Sequence, residues 1–192
     1  MKLDPTYIYC DASFSKIFQV AVVGSLIFQN EHDHQHISAA EAKINLTQIR
    51  ETNNIRAEIK GVILALQTFQ EDGQTDGQAY SQADFQKQSN KPNHCQTKQP
   101  VILFTDCQTL SELMRRRKHL EKTNFISKSK NTELANADLY KEFYLLYDKI
   151  QPEIHWVKGH TEKSSQTAQQ KNFSFVDKEV RLKLRAIVAT LS

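Results

Sequence analysis

Along this chain apolar and polar positions alternate, then run together, then give way to thirty positions without a Val, Ile, Leu or Met, and that pattern lays out the elements. Residues 6 to 14 predict a first strand, and FQVAVVGSLIFQ (18 to 29) predicts a long second strand rich in β-branched residues. The polar NEHDHQH reads as a hairpin turn leading to a third strand around 36 to 47. In NNIRAEIKGVILALQTF, Ile59, Val62, Ile63, Leu66 and Phe69 recur at helical spacing, so an amphipathic helix is expected. Gly61 lies inside it at a cost of about 1 kcal/mol relative to Ala, and close packing is the expected reason.

VILFTD (101 to 106) is a continuous apolar run that suits a central parallel strand covered on both faces. A helix through TLSELMRRRKHL follows, then a basic connector, a helix from about 132 to 150 and the strand EIHWVK. The final helix carries Val176, Val180, Leu184, Ile187, Val188 and Leu191 as one stripe. Three strands followed by alternating helices and strands predict an α/β sheet with an antiparallel hairpin at one side.

Between the two halves, residues 71 to 100 contain no Val, Ile, Leu or Met, Gln recurs through them, and EDGQTDGQ is a short tandem repeat. Such a segment buries too little apolar surface to offset its ordering entropy, so it is expected to be a low-complexity insertion within a single domain spanning 1 to 192. Composition adds one asymmetry. Residues 101 to 192 carry 16 Lys/Arg against 11 Asp/Glu and hold the whole positive excess, which points to a polyanionic partner. No apolar run is long enough for a membrane span. Three cysteines without CxxC spacing argue against a disulfide framework or a structural zinc site, and MKLDPTYIYCD lacks the apolar core of a signal peptide, so a cytoplasmic protein is expected; a monomer is expected separately.

In open α/β sheets ligands bind beyond the carboxyl ends of the strands. Asp11 ends the first predicted strand, Asp106 the fourth, and His160 follows the fifth; Glu58 stands near the start of the first helix and Asp177 in the first turn of the last. Each also has an ordinary reading: Asp11 as a turn residue, Asp106 as a helix cap, Glu58 as a first-turn acid, Ser174 with Asp177 as a capping box, His160 as an exposed loop histidine.

In order, IYCDAS, NNIRAEIKGVILAL, VILFTDCQ, NADLYKEF, HWVKGH and a last Asp opening a helix resemble the successive motifs of the ribonuclease H family, type 1, over nearly the whole chain apart from 71 to 100. The resemblance implies a five-stranded mixed sheet, strands 1 to 3 antiparallel and 4 and 5 parallel, flanked by helices. It further implies an endonuclease that cuts the RNA strand of RNA–DNA hybrids with two Mg²⁺ ions, Mn²⁺ being a possible substitute, and leaves 5′-phosphate and 3′-hydroxyl ends. Carried over by position, Asp11, Glu58, Asp106 and Asp177 hold the metal, and His160 on its glycine-bordered loop moves protons, with Lys158 adding positive potential. Asn54 and Gln108 match positions that read the hybrid's minor groove. Asn136 matches a DNA-phosphate contact, and Arg115, Arg116, Arg117, Lys118, Lys122, Lys128 and Lys130 are expected at phosphates, although a solvated helix face explains the basic run nearly as well.

The sequence also departs from that pattern. Ala12 follows the first Asp where glycine is usual, Ile55 precedes Arg56 where an amide is common, the last motif reads FSFVD without its usual Asn and Glu, and the loop from His160 to Asp177 is long. Glu179 is a fallback for the fourth ligand. HDHQH (32 to 36) has the alternating histidines of a zinc or nickel site, but is expected to be a solvated turn. Cys10 should be a buried small hydrophobe, Cys107 the cysteine exposed enough for oxidation, and Trp156 a core residue. Two rivals keep the fold: a DNA nuclease or resolvase, for which Ile55 gives some support, and a binding module that has lost catalysis.

Overall fold

The computed structural model describes residues 3–74, 99–157 and 166–191. Most of the 71–100 insertion, together with Lys158 and His160, lies outside the described residues. Ten elements follow one another: β1 (Thr6–Ser15), β2 (Val20–Phe28), α1 (Glu31–His36), β3 (Ile44–Arg50), α2 (Asn54–Gln74), β4 (Val101–Thr105), α3 (Gln108–Lys122), α4 (Ala137–Ile150), β5 (Glu153–Trp156) and α5 (Ala168–Leu191).

The strands form one mixed sheet in the order β3-β2-β1-β4-β5, with β1 antiparallel to β2, β2 antiparallel to β3, and β1, β4 and β5 parallel. Because strand side chains alternate between faces, β1 feeds two cores. Ile8 and Cys10 join Leu103 on the face covered by α2, α3 and α4. Tyr7 and Tyr9 join Phe104 on the face covered by α5, where the Tyr9 and Phe104 rings stack with centroids 4.6 Å apart. Burial on both faces explains why β4 reads as an unbroken apolar run.

Helix starts are written locally. Asn53 accepts from the Arg56 backbone N–H at 3.0 Å and so caps α2. For α5 the capping box is Thr167 and Gln170, not Ser174 and Asp177: the Gln170 N–H donates to Thr167 Oγ1 at 3.3 Å and the Thr167 N–H to Gln170 Oε1 at 2.9 Å. α5 starts at Ala168, and Phe173 extends the apolar stripe N-terminally of Val176, so Asp177 lies well inside the helix rather than in its first turn.

Other expectations shift as well. NEHDHQH is not an irregular turn but holds α1, because Asn30 accepts from the Asp33 N–H at 2.8 Å and nucleates a helical turn. His34 anchors that turn by stacking on Tyr7, centroids 3.9 Å apart, and bonding Tyr9 Oη through Nε2 at 2.7 Å. The third strand accordingly starts at Ile44 rather than near 36, and α4 starts at Ala137 rather than near 132. Close approach belongs to Gly24 more than to Gly61. A Cβ on Gly61 would meet Val23 at an ordinary 3.5 Å, whereas one on Gly24 would lie 2.4 Å from Val180 Cγ1 on α5.

Among the described residues no helix is long and apolar enough to cross a membrane.

Candidate active site

Asp11 pairs with Gly24 in the β1–β2 register, two positions beyond Tyr9, and therefore shares the face on which α5 packs. That places its carboxyl against Asp177 of α5, with which it hydrogen-bonds, and beside Asp106, which follows β4. Burial first, and then the charge of Asp106, push the Asp11 carboxyl up to about 8; Asp177 adds to the rise, while the Ala12 N–H, bonded to the carboxylate, works against it. At neutral pH Asp11 therefore holds a proton that its neighbours make hard to release.

Glu58 comes from the second turn of α2, on the face of the sheet opposite α5, and approaches Asp106 from there. Its carboxyl is also raised, chiefly by burial and in part by Asp106, and two donors oppose that shift: the Cys107 thiol and the Asn54 amide, which hydrogen-bonds Glu58 Oε1. Cys107 is buried rather than open to oxidants, because α3 begins on it and folds it under Leu110 and Leu113. Desolvation and the neighbouring Glu58 charge push its thiol up to about 12, so it serves as an S–H donor.

Trp156 departs furthest from expectation. At the end of β5 it is 48 % exposed, and its indole N–H donates to the Asp106 carbonyl at 3.1 Å. β5 is the edge of the sheet and only partly covered, so the ring lies over the end of β4 instead of in the core.

The structure thus brings Asp11, Glu58, Asp106 and Asp177 into one charged cluster, and it is Asp177, not Glu179, that meets Asp11. An all-oxygen donor set with one carboxyl forced to keep its proton fits a hard divalent cation, which would relieve the repulsion. As the side chains stand, no group of three or more ligating residues among those described converges on one point. The chain's own donors engage two of these acids: Asn54 and Cys107 bond Glu58, and Arg181 Nη2 bonds Asp177 Oδ2 from one helical turn further on.

Around the cluster, Asn54 and Gln108 are exposed at the starts of α2 and α3. Asn136 precedes α4 without capping it; its Oδ1 is buried with no hydrogen-bond partner, while Nδ2 reaches Tyr140 Oη at 3.4 Å. Arg56 fixes this corner by donating to the Ala135 carbonyl at 3.0 Å, to both Asp138 oxygens at 2.9 and 2.7 Å and to Glu51 at 2.8 Å. Beside it an open cleft of about 520 Å³ is lined by Gln19, Arg50, Glu51 and Thr52, and by none of the four acids.

The basic run divides. Arg116 and Lys118 are exposed, as are Lys122, Lys128 and Lys130. Arg115 bonds Glu112 at 2.6 Å in a solvent-exposed pair. Arg117 is engaged differently: it grips Asp148 of α4 with two bonds of 2.5 and 2.7 Å, bonds Glu121 at 2.7 Å and lies 4.8 Å from the centre of the Tyr144 ring. It ties α3 to α4.

Three contributors were not singled out from the sequence: Arg181, the Cys107 thiol as donor to Glu58, and the Trp156 indole on the Asp106 carbonyl. Only the first left a signal there, the four-residue spacing of an acid and a base on one helix.

Comparison with known proteins agrees with this architecture. The RNase H family model matches residues 4–181. Among solved structures, LC9-RNase H1, described as a type 1 RNase H with the type 2 active-site motif, superposes with a TM-score of 0.55 at 17% identity, covering 92% of this chain and 71% of that one. The protease–reverse transcriptase of prototype foamy virus gives a TM-score of 0.57 at 15% identity, covering 93% of this chain but 20% of that one. A foamy viral protease–reverse transcriptase in complex with double-stranded DNA gives 0.51 at 12% identity over 89% and 91% of the two chains. At these identities the likeness is one of fold. No protein of curated function matches the sequence.

Proposed function

The chain belongs to the RNase H family, and from that premise we propose that it is a Mg²⁺-dependent endonuclease hydrolysing the RNA strand of RNA–DNA hybrids. One observation supports this above the others: Asp11 of β1, Asp106 at the end of β4 and Asp177 of α5 are close enough to interact with one another, with Glu58 of α2 beside Asp106. Carboxylates crowded in this way suit a site whose working form contains divalent cations. When bound, two such ions supply an activated water and neutralise charge on the departing 3′ oxygen, which leaves 5′-phosphate and 3′-hydroxyl ends; Mn²⁺ is an expected substitute.

The remaining roles belong to the chain. Asp11, Glu58, Asp106 and Asp177 bind the cations, and the Trp156 indole holds the backbone that presents Asp106. Asn54 and Gln108, exposed at the starts of α2 and α3, are assigned to a hybrid's minor groove, in which the 2′-hydroxyl distinguishes RNA. Arg116 and Lys118, with Arg115, supply positive potential for a phosphate backbone, and Asn136 a polar contact at the start of α4. His160 and Lys158 are assigned proton transfer and phosphate attraction by their place after β5. The same reading takes residues 1–192 as one RNase H-like domain interrupted by 71–100, acting as a monomer.

A second reading, a DNA nuclease of the same fold, draws on Ile55. It is 45 % exposed beside Asn54 and offers no hydrogen-bonding group to a ribose. End-labelled hybrid, duplex DNA and duplex RNA incubated with Mg²⁺ or with EDTA discriminate the two. Cleavage confined to the RNA strand of the hybrid, dependent on Mg²⁺ and lost in Asp106→Asn while hybrid binding persists, is the expected result. Cutting of duplex DNA in preference to hybrid would overturn the assignment, and hybrid binding with no cleavage by the wild type would mark a passive module.

A further inference from the structure

Building on that reading, we propose that Arg181 is an internal counter-ion for Asp177: its guanidinium holds the carboxylate in the cation-free protein and gives it up when a divalent cation binds. Asp177 and Arg181 stand four residues apart on α5 with the acid N-terminal, the favourable order for a helical pair. Arg181 Nη2 bonds Asp177 Oδ2, and Nε lies 3.4 Å from the Asp177 main-chain carbonyl, so the fork grips both the side chain and the backbone of one residue. The Asp177 side chain is only 23 % exposed, which screens the pair less than an open surface pair would be screened.

On its other side Asp177 hydrogen-bonds Asp11. A carboxylate between a second acid and a guanidinium needs positive charge from somewhere. Arg181, itself 42 % exposed, can swing into solvent when a better source arrives. A divalent cation is that source, because it carries twice the charge and can be shared by both acids, whereas the guanidinium reaches only one. Arg181 is thus a positioning residue that holds the Asp177 carboxylate without metal, and it competes with the cation for one ligand.

Calorimetric titration of the full chain with Mg²⁺ tests this on four proteins. Arg181→Gln is expected to bind Mg²⁺ about two- to fivefold more tightly than the wild type, the range set by the loss of one partly exposed ion pair. Arg185→Gln removes the same charge from an exposed position one turn further along α5 and is expected to stay close to wild type. Asp177→Asn is expected to bind more weakly. Equal affinities in the two arginine variants, or weaker binding in Arg181→Gln, would overturn the proposal. A second measurement needs no change at Arg181: its Nε–H NMR signal should shift on Mg²⁺ saturation of the wild type and should already lie near that position in metal-free Asp177→Asn. A signal that Mg²⁺ leaves unmoved also overturns it. Should the wild type take up no Mg²⁺ even with hybrid present, the metal-nuclease reading falls first and this inference with it.

Discussion

Gly24 of β2 and Val180 of α5 approach so closely that a methyl group on the glycine would lie 2.4 Å from Val180 Cγ1, with Val176 Cγ1 at 3.3 Å on the turn before. Asp177 lies between those two valines in sequence, and Asp11 is the register partner of Gly24. The missing side chain at Gly24 therefore sets how near α5 comes to the sheet, and with it how near Asp177 comes to Asp11.

Gly24→Ala follows from this contact. Valine has one strongly preferred rotamer in a helix and cannot swing away cheaply, so α5 must move. A loss of about 1–3 kcal/mol is expected in urea unfolding. Hybrid cleavage should fall more than stability does, because the displacement acts directly on Asp177. An alanine variant of unchanged stability would show that α5 does not pack this tightly.

The proton on Asp11 predicts how stability varies with pH. Its carboxyl sits at about 8 in the folded protein against an ordinary 3.8, so between those values the native state holds a proton that the unfolded chain has released. Its contribution is greatest at the acid end of that window and declines as pH rises toward 8. Denaturation in EDTA from pH 5 to pH 8 should show stability falling as pH rises, and Asp11→Asn should flatten the slope. Addition of Mg²⁺ near pH 7 should release protons, detectable as a dependence of the binding enthalpy on buffer ionisation.

Arg56 joins α2 to α4 through Ala135 and Asp138 and to the residue after β3 through Glu51, and its loss would leave Glu51, whose side chain is 11 % exposed, without its partner. Arg56→Ala is expected to cost about 1–3 kcal/mol, and Arg56→Lys to recover only part of that because a lysine has no planar fork. The guanidinium holds the Asp138 carboxyl down at about 2. The stability it gives is present above the ordinary carboxylate range and lost as pH falls through 2, and an acid titration of Asp138→Asn should lack that component.

Trp156 is the only tryptophan in the chain, half exposed, and bonded to the carbonyl of Asp106. Its fluorescence should change on binding of hybrid, and less on binding of a non-nucleic polyanion such as heparin. Trp156→Phe keeps a ring but removes the donor, and should cost about 0.5–1.5 kcal/mol. A fluorescence signal indifferent to hybrid would place the substrate away from the end of β4.

Hydrophobic patterning located the five strands and all the helices but α1, because a strand buried on both faces and a helix buried on one leave periods that need no tertiary knowledge to read, while the arrangement of the strands came from the family resemblance. The order of the acidic motifs likewise picked out Asp11, Glu58, Asp106 and Asp177. Element starts were harder: α1 and the capping box at Thr167 depend on side chain to backbone bonds made by a few polar residues, which loops contain equally.

Only the tertiary structure decided what those four acids do to one another and what restrains them. A pKa of about 8 on Asp11 arises from burial plus charges distant in sequence, and the donors that hold Glu58 and Asp177 belong to Cys107 and Arg181, ordinary residues until packing sets them beside a carboxylate. Likewise Trp156 reads as core by composition, and is half exposed because β5 happens to be an edge. Periodicity records which face of an element is buried; electrostatic coupling depends on distances across the fold, and these no local pattern encodes.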